Sequence, residues 1–447
     1  MKTEFSGAVP EIAIGNLRTA AEDSGNRSSR QVALASGIGT TAEWYDFFVF
    51  GTAAALVFPK LFFPRFSPFA GTLASFATFG VAFFARPIGG ACFGHFGDRV
   101  GRKALLVTTL LLMGGATFLI GLLPTFGQVG VLAPILLVAL RIVQGFAVGG
   151  EWGGATLMAV EHAPEQRRNF YASWPQMGVP IGLMLSAAVF AGFSTLSEPQ
   201  FLAWGWRGPF LLSIVLIGVG LMVRLRVAES PVFSRVKELG EVCRAPLRDL
   251  LRDHSAAVIL AVGVVFFSIS GFYLITTFSL SYLTQQLGMS NNVALVGNVL
   301  FSAAELASML IAARIADRVG VRRVAIYTAL FNLLLSCPFF WLLSTREPLL
   351  IWLAIASFAL SSGGLYAITG ALLAQLFDAR VRCSGISLGY QLAAMIGGAP
   401  TPFIAAYLMH WTGGPIWAVA TFLIASALIT LVAVGVAALR PSVAILR

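Results

Sequence analysis

The ten residues Gly94–Lys103, GHFGDRVGRK, crowd Asp98, Arg99, Arg102 and Lys103 between two long apolar runs. Placing any of these charges in hydrocarbon costs about 3 kcal/mol or more, so the stretch reads as a tight polar turn at a membrane surface. Gly97 and Gly101 relieve the backbone where the chain reverses. A buried Asp98 is suited to cap a neighbouring helix start or to pair with one of the arginines. Close to half a chain later, Ala313–Arg323 reads ARIADRVGVRR, with Asp317 in the place of Asp98. The repetition predicts two related halves.

The rest of the composition agrees with a membrane setting. The 447 residues are 57% hydrophobic and only 11% charged, and the mean hydropathy is +0.83. Many runs are about 20 residues long and apolar, enough to cross hydrocarbon as helices and too long for the alternating segments of a membrane barrel. The expected class is an all-α polytopic membrane protein. Its four cysteines, Cys92, Cys243, Cys337 and Cys383, are scattered without CxxC spacing, so neither a disulfide nor a metal site nor any cofactor is expected. The net charge of +10 is explained by topology and calls for no nucleic-acid partner. Phosphate-binding loops and nucleophile elbows are absent from the sequence, which argues against an enzyme.

Twelve spans are placed at roughly 32–58, 70–95, 104–124, 130–157, 170–195 and 208–226, then 256–284, 292–314, 324–344, 349–376, 384–410 and 415–438. They divide the chain into a cytoplasmic tail over 1–30, read as disordered, a six-helix bundle over 31–226 and a linker over 227–254. A second bundle over 255–440 and a tail over 441–447 follow. Of the 30 Lys and Arg, Lys60, Arg65, Arg207 and Arg346 fall on one side, Arg86 and Arg141 fall inside spans, and the rest lie on the other side. That excess puts both termini and GHFGDRVGRK in the cytoplasm. Val236, Leu239 and Val242 in the linker suggest a surface helix.

Ionisable residues inside spans face a bundle interior and are functional candidates by default. Glu43 and Asp46 stand at i, i+3 on one face of the first span; Arg86, Arg141 and Glu151 follow in spans 2 and 4. Desolvation and a nearby guanidinium act oppositely on a carboxyl's proton affinity, so a moving arginine can load and release a proton. Glu43, Asp46 and Glu151 are candidates for that role. The alternative is that Glu43 and Asp46 form structural ion pairs with Arg86 or Arg141. Arg86 is the first candidate to hold a carboxylate through a two-pronged contact. Arg207, in WGWR at the outer end of span 6, is the second, with interfacial snorkelling as its alternative. Glu305 is the one well-buried acid expected in the second half. Tyr390 and Gln391, with Gln176 at a related place in span 5, are candidate cavity residues; Tyr273 and Tyr366 are further polar aromatics inside spans.

The two halves, the GHFGDRVGRK turn with its degenerate copy, and the run RIVQG from Arg141 resemble the major facilitator superfamily. The runs AEWYDF (Ala42–Phe47), RPIGG (Arg86–Gly90), RIVQGFAVGGEWGGA (Arg141–Ala155), WGWRGPF (Trp204–Phe210), AESPVF (Ala228–Phe233) and SGISLGYQ (Ser384–Gln391) narrow this. They resemble its metabolite:proton symporters, carriers of shikimate, alpha-ketoglutarate, citrate, proline or betaine. The resemblance implies twelve transmembrane helices in two pseudo-symmetric six-helix bundles, a bacterial inner-membrane location, a monomer, and import of a small organic anion with protons. It also implies a proton-transfer role for Arg141 and a cytoplasmic gate formed by Asp98, Arg99 and Arg102, with Asp317 and Arg318 as counterparts. Val321 stands where the first half has Arg102, and Thr40 and Thr41 replace the small or amide residues common in relatives. The expected absence of a long C-terminal coiled coil sets the chain apart from osmosensing betaine carriers. A proton-driven exporter is the alternative, although Gly178–Gly182 reads GVPIG and lacks the exporters' motif. A non-transporting membrane sensor is a remote one.

Overall fold

The computed structural model describes residues 11–239, 246–398, 400–412 and 416–441. Among the described residues, twelve long helices carry the fold. Those of the first half are α1 (Glu11–Leu56), α2 (Pro68–Arg99), α3 (Arg102–Leu122), α4 (Leu132–His162), α5 (Trp174–Phe193) and α6 (Ser213–Arg226). The second half supplies α7 (Ser255–Tyr273), α8 (Asn291–Val319), α9 (Val321–Leu343), α10 (Pro348–Ala374), α11 (Arg382–Gly397) and α12 (Trp417–Leu439). Eleven helices among the described residues are long and apolar enough to cross a membrane, and the remaining expected span lies within α1.

Packing follows the sequence repeat. In the first half α1 lies along α5, and α4 packs on both α2 and α3; in the second, α10 packs on α8 and α9, and α7 on α11 and α12. The halves meet where α2 crosses α11 and where α8 crosses α5, two contacts that a two-fold relation between the halves would exchange. This is the all-α, two-bundle architecture expected from the sequence.

Three expectations change in detail. Residues 1–10 of the expected tail lie outside the described residues, and helix α1 begins already at Glu11; Ala13, Leu17, Arg18, Ala20, Ala21 and Glu22 are strong helix formers that extend it. The span expected over 384–410 is two pieces, α11 and a helix over Pro400–Trp411. Pro400 has no N–H to give and its ring clashes with the carbonyl four residues back. The single surface helix expected in the linker is two short ones, Pro231–Glu238 and Pro246–Asp253. Val236 is half-buried and Leu239 exposed, while Val242 and Cys243 lie outside the described residues, as do residues 442–447 of the C-terminal tail.

Candidate functional site

Small residues set the spacing of the first half's centre. A Cβ on Gly145 would stand 2.4 Å from the Ala82 carbonyl oxygen, and one on Gly149 2.3 Å from that of Arg86, so α2 and α4 touch through their backbones. That contact brings Arg86 and Arg141 together over one ring of α1: each guanidinium carbon lies 4.6 Å from the Phe47 centroid. Arg86 also lies 4.4 Å from Phe83, and Arg141 4.1 Å from Phe50. Both are buried, and Nε and Nη2 of each have no hydrogen-bond partner. Arg141 Nη1 donates to Gln144 Oε1 at 3.0 Å, and Gln144 Nε2 donates to Thr117 Oγ1 at 2.7 Å. No ion pair links either arginine to a carboxylate among the described residues. Aromatic faces return only about 2 kcal/mol to a desolvated cation. Two guanidiniums with unpartnered N–H groups in one apolar pocket have the donors and the charge that an anion could satisfy.

The second half completes the surroundings. Tyr273 of α7 lies beside Arg86. The Tyr390 and Tyr366 hydroxyls are 3.0 Å apart, and the Tyr390 ring stacks on Trp152 of α4 at 3.8 Å and 14°. Trp152 Nε1 donates to Gln176 Oε1 at 2.8 Å, so Gln176 and Tyr390 meet through an indole that sequence reasoning passed over; its signal was an aromatic set among the glycines beside Glu151. Gln391 Nε2 donates to the Val148 and Gly149 carbonyls at 3.3 and 3.2 Å, stitching α11 to α4. Arg207 stands apart from this group. Its Nη1 donates to the carbonyls of Gly121 and Leu123 at 2.8 and 2.7 Å, satisfying the C-terminal end of α3.

The acids form a separate cluster. Glu151 Oε1 pairs with Arg224 Nη2 and its Oε2 accepts from Thr109 Oγ1 at 2.9 Å. Glu43 Oε1 lies 3.8 Å from the same Arg224 nitrogen, and its carboxyl neighbours that of Glu151. Two carboxyls therefore share one guanidinium in a buried site between α1, α4 and α6. The pairing of Glu43 with Arg86 or Arg141 weighed from the sequence does not form, and Asp46 sits beside Thr117 with Oδ1 unpartnered. Arg224 went unnoticed because a basic residue at a helix end reads as an ordinary topology signal.

At the basic end, both acidic turn residues cap a helix of the opposite half. Asp98 accepts from Cys383 N at 3.2 Å, Ser384 N at 2.9 Å and Ser384 Oγ at 2.8 Å, which is the start of α11. It is also 3.2 Å from Arg102 Nη2, so the cap and the ion pair foreseen for Asp98 both occur. Arg102 reaches Glu161 at 3.8 Å, and Glu161 reaches Arg382 at 3.7 Å, a buried chain across the two halves. Glu229, at the head of the linker, accepts from Arg102 N at 2.9 Å and Lys103 N at 3.2 Å, capping α3. Asp317 mirrors Asp98: it accepts from Asn169 N at 2.8 Å, Asn169 Nδ2 at 2.9 Å and Phe170 N at 3.1 Å, at the start of the short helix Arg168–Ala172 that leads into α5. Arg99 and Arg318 join neither cap. Both are exposed; Arg99 lies 3.5 Å from His95.

The sequence profile of the Major Facilitator Superfamily matches residues 37–388 and 274–444. The chain is 42% identical over 408 residues to the shikimate transporter of Escherichia coli K12, covering 90% of this chain and 93% of that protein. It is equally similar, 42% over 413 residues, to the inner membrane metabolite transport protein YhjE of the same organism, covering 91% and 93%. The Escherichia coli K12 proline/betaine transporter is 31% identical over 391 residues, covering 85% and 78%. Among solved structures, the proton:xylose symporter XylE bound to 6-bromo-6-deoxy-D-glucose superposes with a TM-score of 0.72 at 17% identity, covering 93% and 97%, a likeness of fold alone. This chain, a multi-pass helical membrane protein, belongs to the major facilitator superfamily and, within it, to the metabolite transporters.

Proposed function

We propose that the chain imports a small organic carboxylate together with protons, by alternating access, across a bacterial inner membrane with both termini cytoplasmic. The observation that carries this reading is the pair Arg86 and Arg141, buried over Phe47 with unpartnered N–H groups and no carboxylate beside them. An incoming carboxylate supplies the missing acceptors and half or more of the missing charge. Tyr390, Gln176 and Trp152 line the same region, and Gln391 ties it to the second half. Arg207 is assigned to the end of α3 and left out of the substrate site.

Proton coupling is assigned to Glu43 and Glu151 around Arg224. Two ionised carboxyls with one cation leave a net negative charge out of water, which is costly; one proton on the pair makes the cluster neutral. Asp46, beside Thr117, is linked to Arg141 through Gln144 and completes the path in this proposal. Asp98, Arg102 and Asp317 act as latches that hold the basic, cytoplasmic end closed.

The deciding measurement is uptake into proteoliposomes of labelled shikimate, alpha-ketoglutarate, citrate, benzoate, proline and betaine, with and without an inward proton gradient. Gradient-stimulated uptake of at least one acid, lost in Arg86→Ala, is the expected result. Gradient-driven expulsion, with no acid entering, overturns import in favour of an exporter. Symport of a zwitterion is a second reading, supported by the likeness to the proline/betaine transporter.

A further inference from the structure

A buried carboxyl in the second half is used neither by the proton cluster nor by the latches. Glu305, in α8, is buried, with Gly363 of α10 packed so closely that a Cβ there would stand 2.8 Å from Glu305 Cγ. No salt bridge reaches it among the described residues. One turn along α10 from Gly363 is Tyr366, whose hydroxyl meets that of Tyr390, and both tyrosines lie within electrostatic reach of Glu305. Tyr390 in turn lies within reach of Arg86 across the boundary between the halves. The centre of the molecule is therefore polarised. Its first-half wall carries two guanidiniums without an acid, its second-half wall carries an acid without a cation, and a pair of hydroxyls stands between them.

Resting on the carboxylate reading above, we infer that Glu305 is a specificity residue that accepts hydrogen bonds from the far end of the substrate, so that the preferred cargo joins a carboxylate to hydroxyl or N–H donors. Arginine holds the carboxylate, and the acid on the opposite wall holds the donors. A carboxyl accepts at its carbonyl oxygen even when neutral, and once ionised it accepts at both oxygens through stronger, charge-assisted bonds. A site built to meet a donor also discriminates against an analogue that lacks one, because its acceptor is left unpaired. Because the two ends of the cargo touch different halves, such a molecule bridges the bundles, whereas a plain acid engages only one.

Two matched pairs of probes test this. Shikimate and benzoate are six-membered-ring carboxylates with and without hydroxyl donors; proline and betaine are zwitterions with and without N–H donors. Uptake kinetics are measured in proteoliposomes for the wild type, Glu305→Leu and Glu305→Gln. The expected result is a KM rise of about ten- to a hundredfold for the donor-bearing member of a transported pair in Glu305→Leu, the size of one hydrogen bond to a charged acceptor. The donor-free member shifts less than about twofold on the same scale, and Glu305→Gln falls between. If Glu305→Leu fails to assemble, the same split between paired probes is read in Glu305→Gln. Equal KM rises for both members of a pair, or lost gradient stimulation at unchanged KM, overturn the inference while leaving carboxylate symport standing. Wild-type uptake confined to donor-free cargo such as alpha-ketoglutarate overturns the inference with symport standing, whereas uptake of none of the six solutes of the panel above brings down the symport reading itself.

Discussion

Arg224 serves two carboxyls, and that shared service makes its substitutions separable. In Arg224→Ala, Glu43 and Glu151 lose their common cation inside the bundle, which costs about 3–5 kcal/mol; a large fall in the melting temperature of the detergent-solubilised protein is expected. In Glu151→Gln, Arg224 keeps Glu43 and the amide keeps a partner for Thr109, so stability stays within about 1 kcal/mol. Gradient-driven accumulation is nevertheless abolished, while equilibrium exchange of substrate persists. A Glu151→Gln protein that still concentrates substrate against its gradient refutes the assignment. The intramembrane charges Glu43, Asp46, Arg86, Arg141 and Glu151 were legible one by one, because each interrupts an apolar run. Their partners were not. Arg224, Glu161, Glu229 and Arg382 sit at helix ends, where charge is ordinary, and only the folded contacts distinguish them from exposed neighbours such as Arg99 and Arg318.

Helix spacing carries the proposed anion site. Gly145 and Gly149 let α2 and α4 touch, and a valine at position 149 drives its Cβ into the Arg86 backbone. Overpacking of this kind costs about 1–3 kcal/mol, and it also moves the Arg86 guanidinium off Phe47. Gly149→Val is therefore expected to lower the melting temperature and raise the KM for every carboxylate together. Gly115, on α3, has open space around its Cβ position; Gly115→Ala is expected to stabilise by up to about 1 kcal/mol through helix propensity with unchanged kinetics. Glycine-rich runs in the sequence announced close helix packing, and hydropathy found the spans to within a few residues. The break before Pro400 and the helix α1 starting at Glu11 were missed, since the apolar run continues through the first and stops short of the second.

The two caps are built unequally. Asp98 holds the start of α11 and is itself gripped by Arg102, whereas Asp317 holds the turn before α5 and has Val321 at the matching place. Loss of a cap costs about 1 kcal/mol, and loss of Asp98 also strips Arg102 of a partner. The buried thiol of Cys383, whose backbone N–H is bound by Asp98, is a native reporter of opening. With Cys92, Cys243 and Cys337 changed to serine, maleimide labelling of Cys383 in inside-out vesicles is expected to quicken more in Asp98→Ala than in Asp317→Ala, and most in the double variant. Equal rates in all three, matching the unaltered latches, reject them as gates. The two-fold plan was visible in the repeated turn, but the capping partners were not, because they lie 285 residues from Asp98 and 148 residues from Asp317. Under the proposed coupling, the cluster of two carboxyls around one guanidinium also sets what the membrane voltage can do. With a single shared proton, a monocarboxylate crosses as a neutral pair and its uptake ignores voltage. A dicarboxylate carries one uncompensated negative charge, and an interior-negative potential opposes it by about 2.3 kcal/mol per 100 mV.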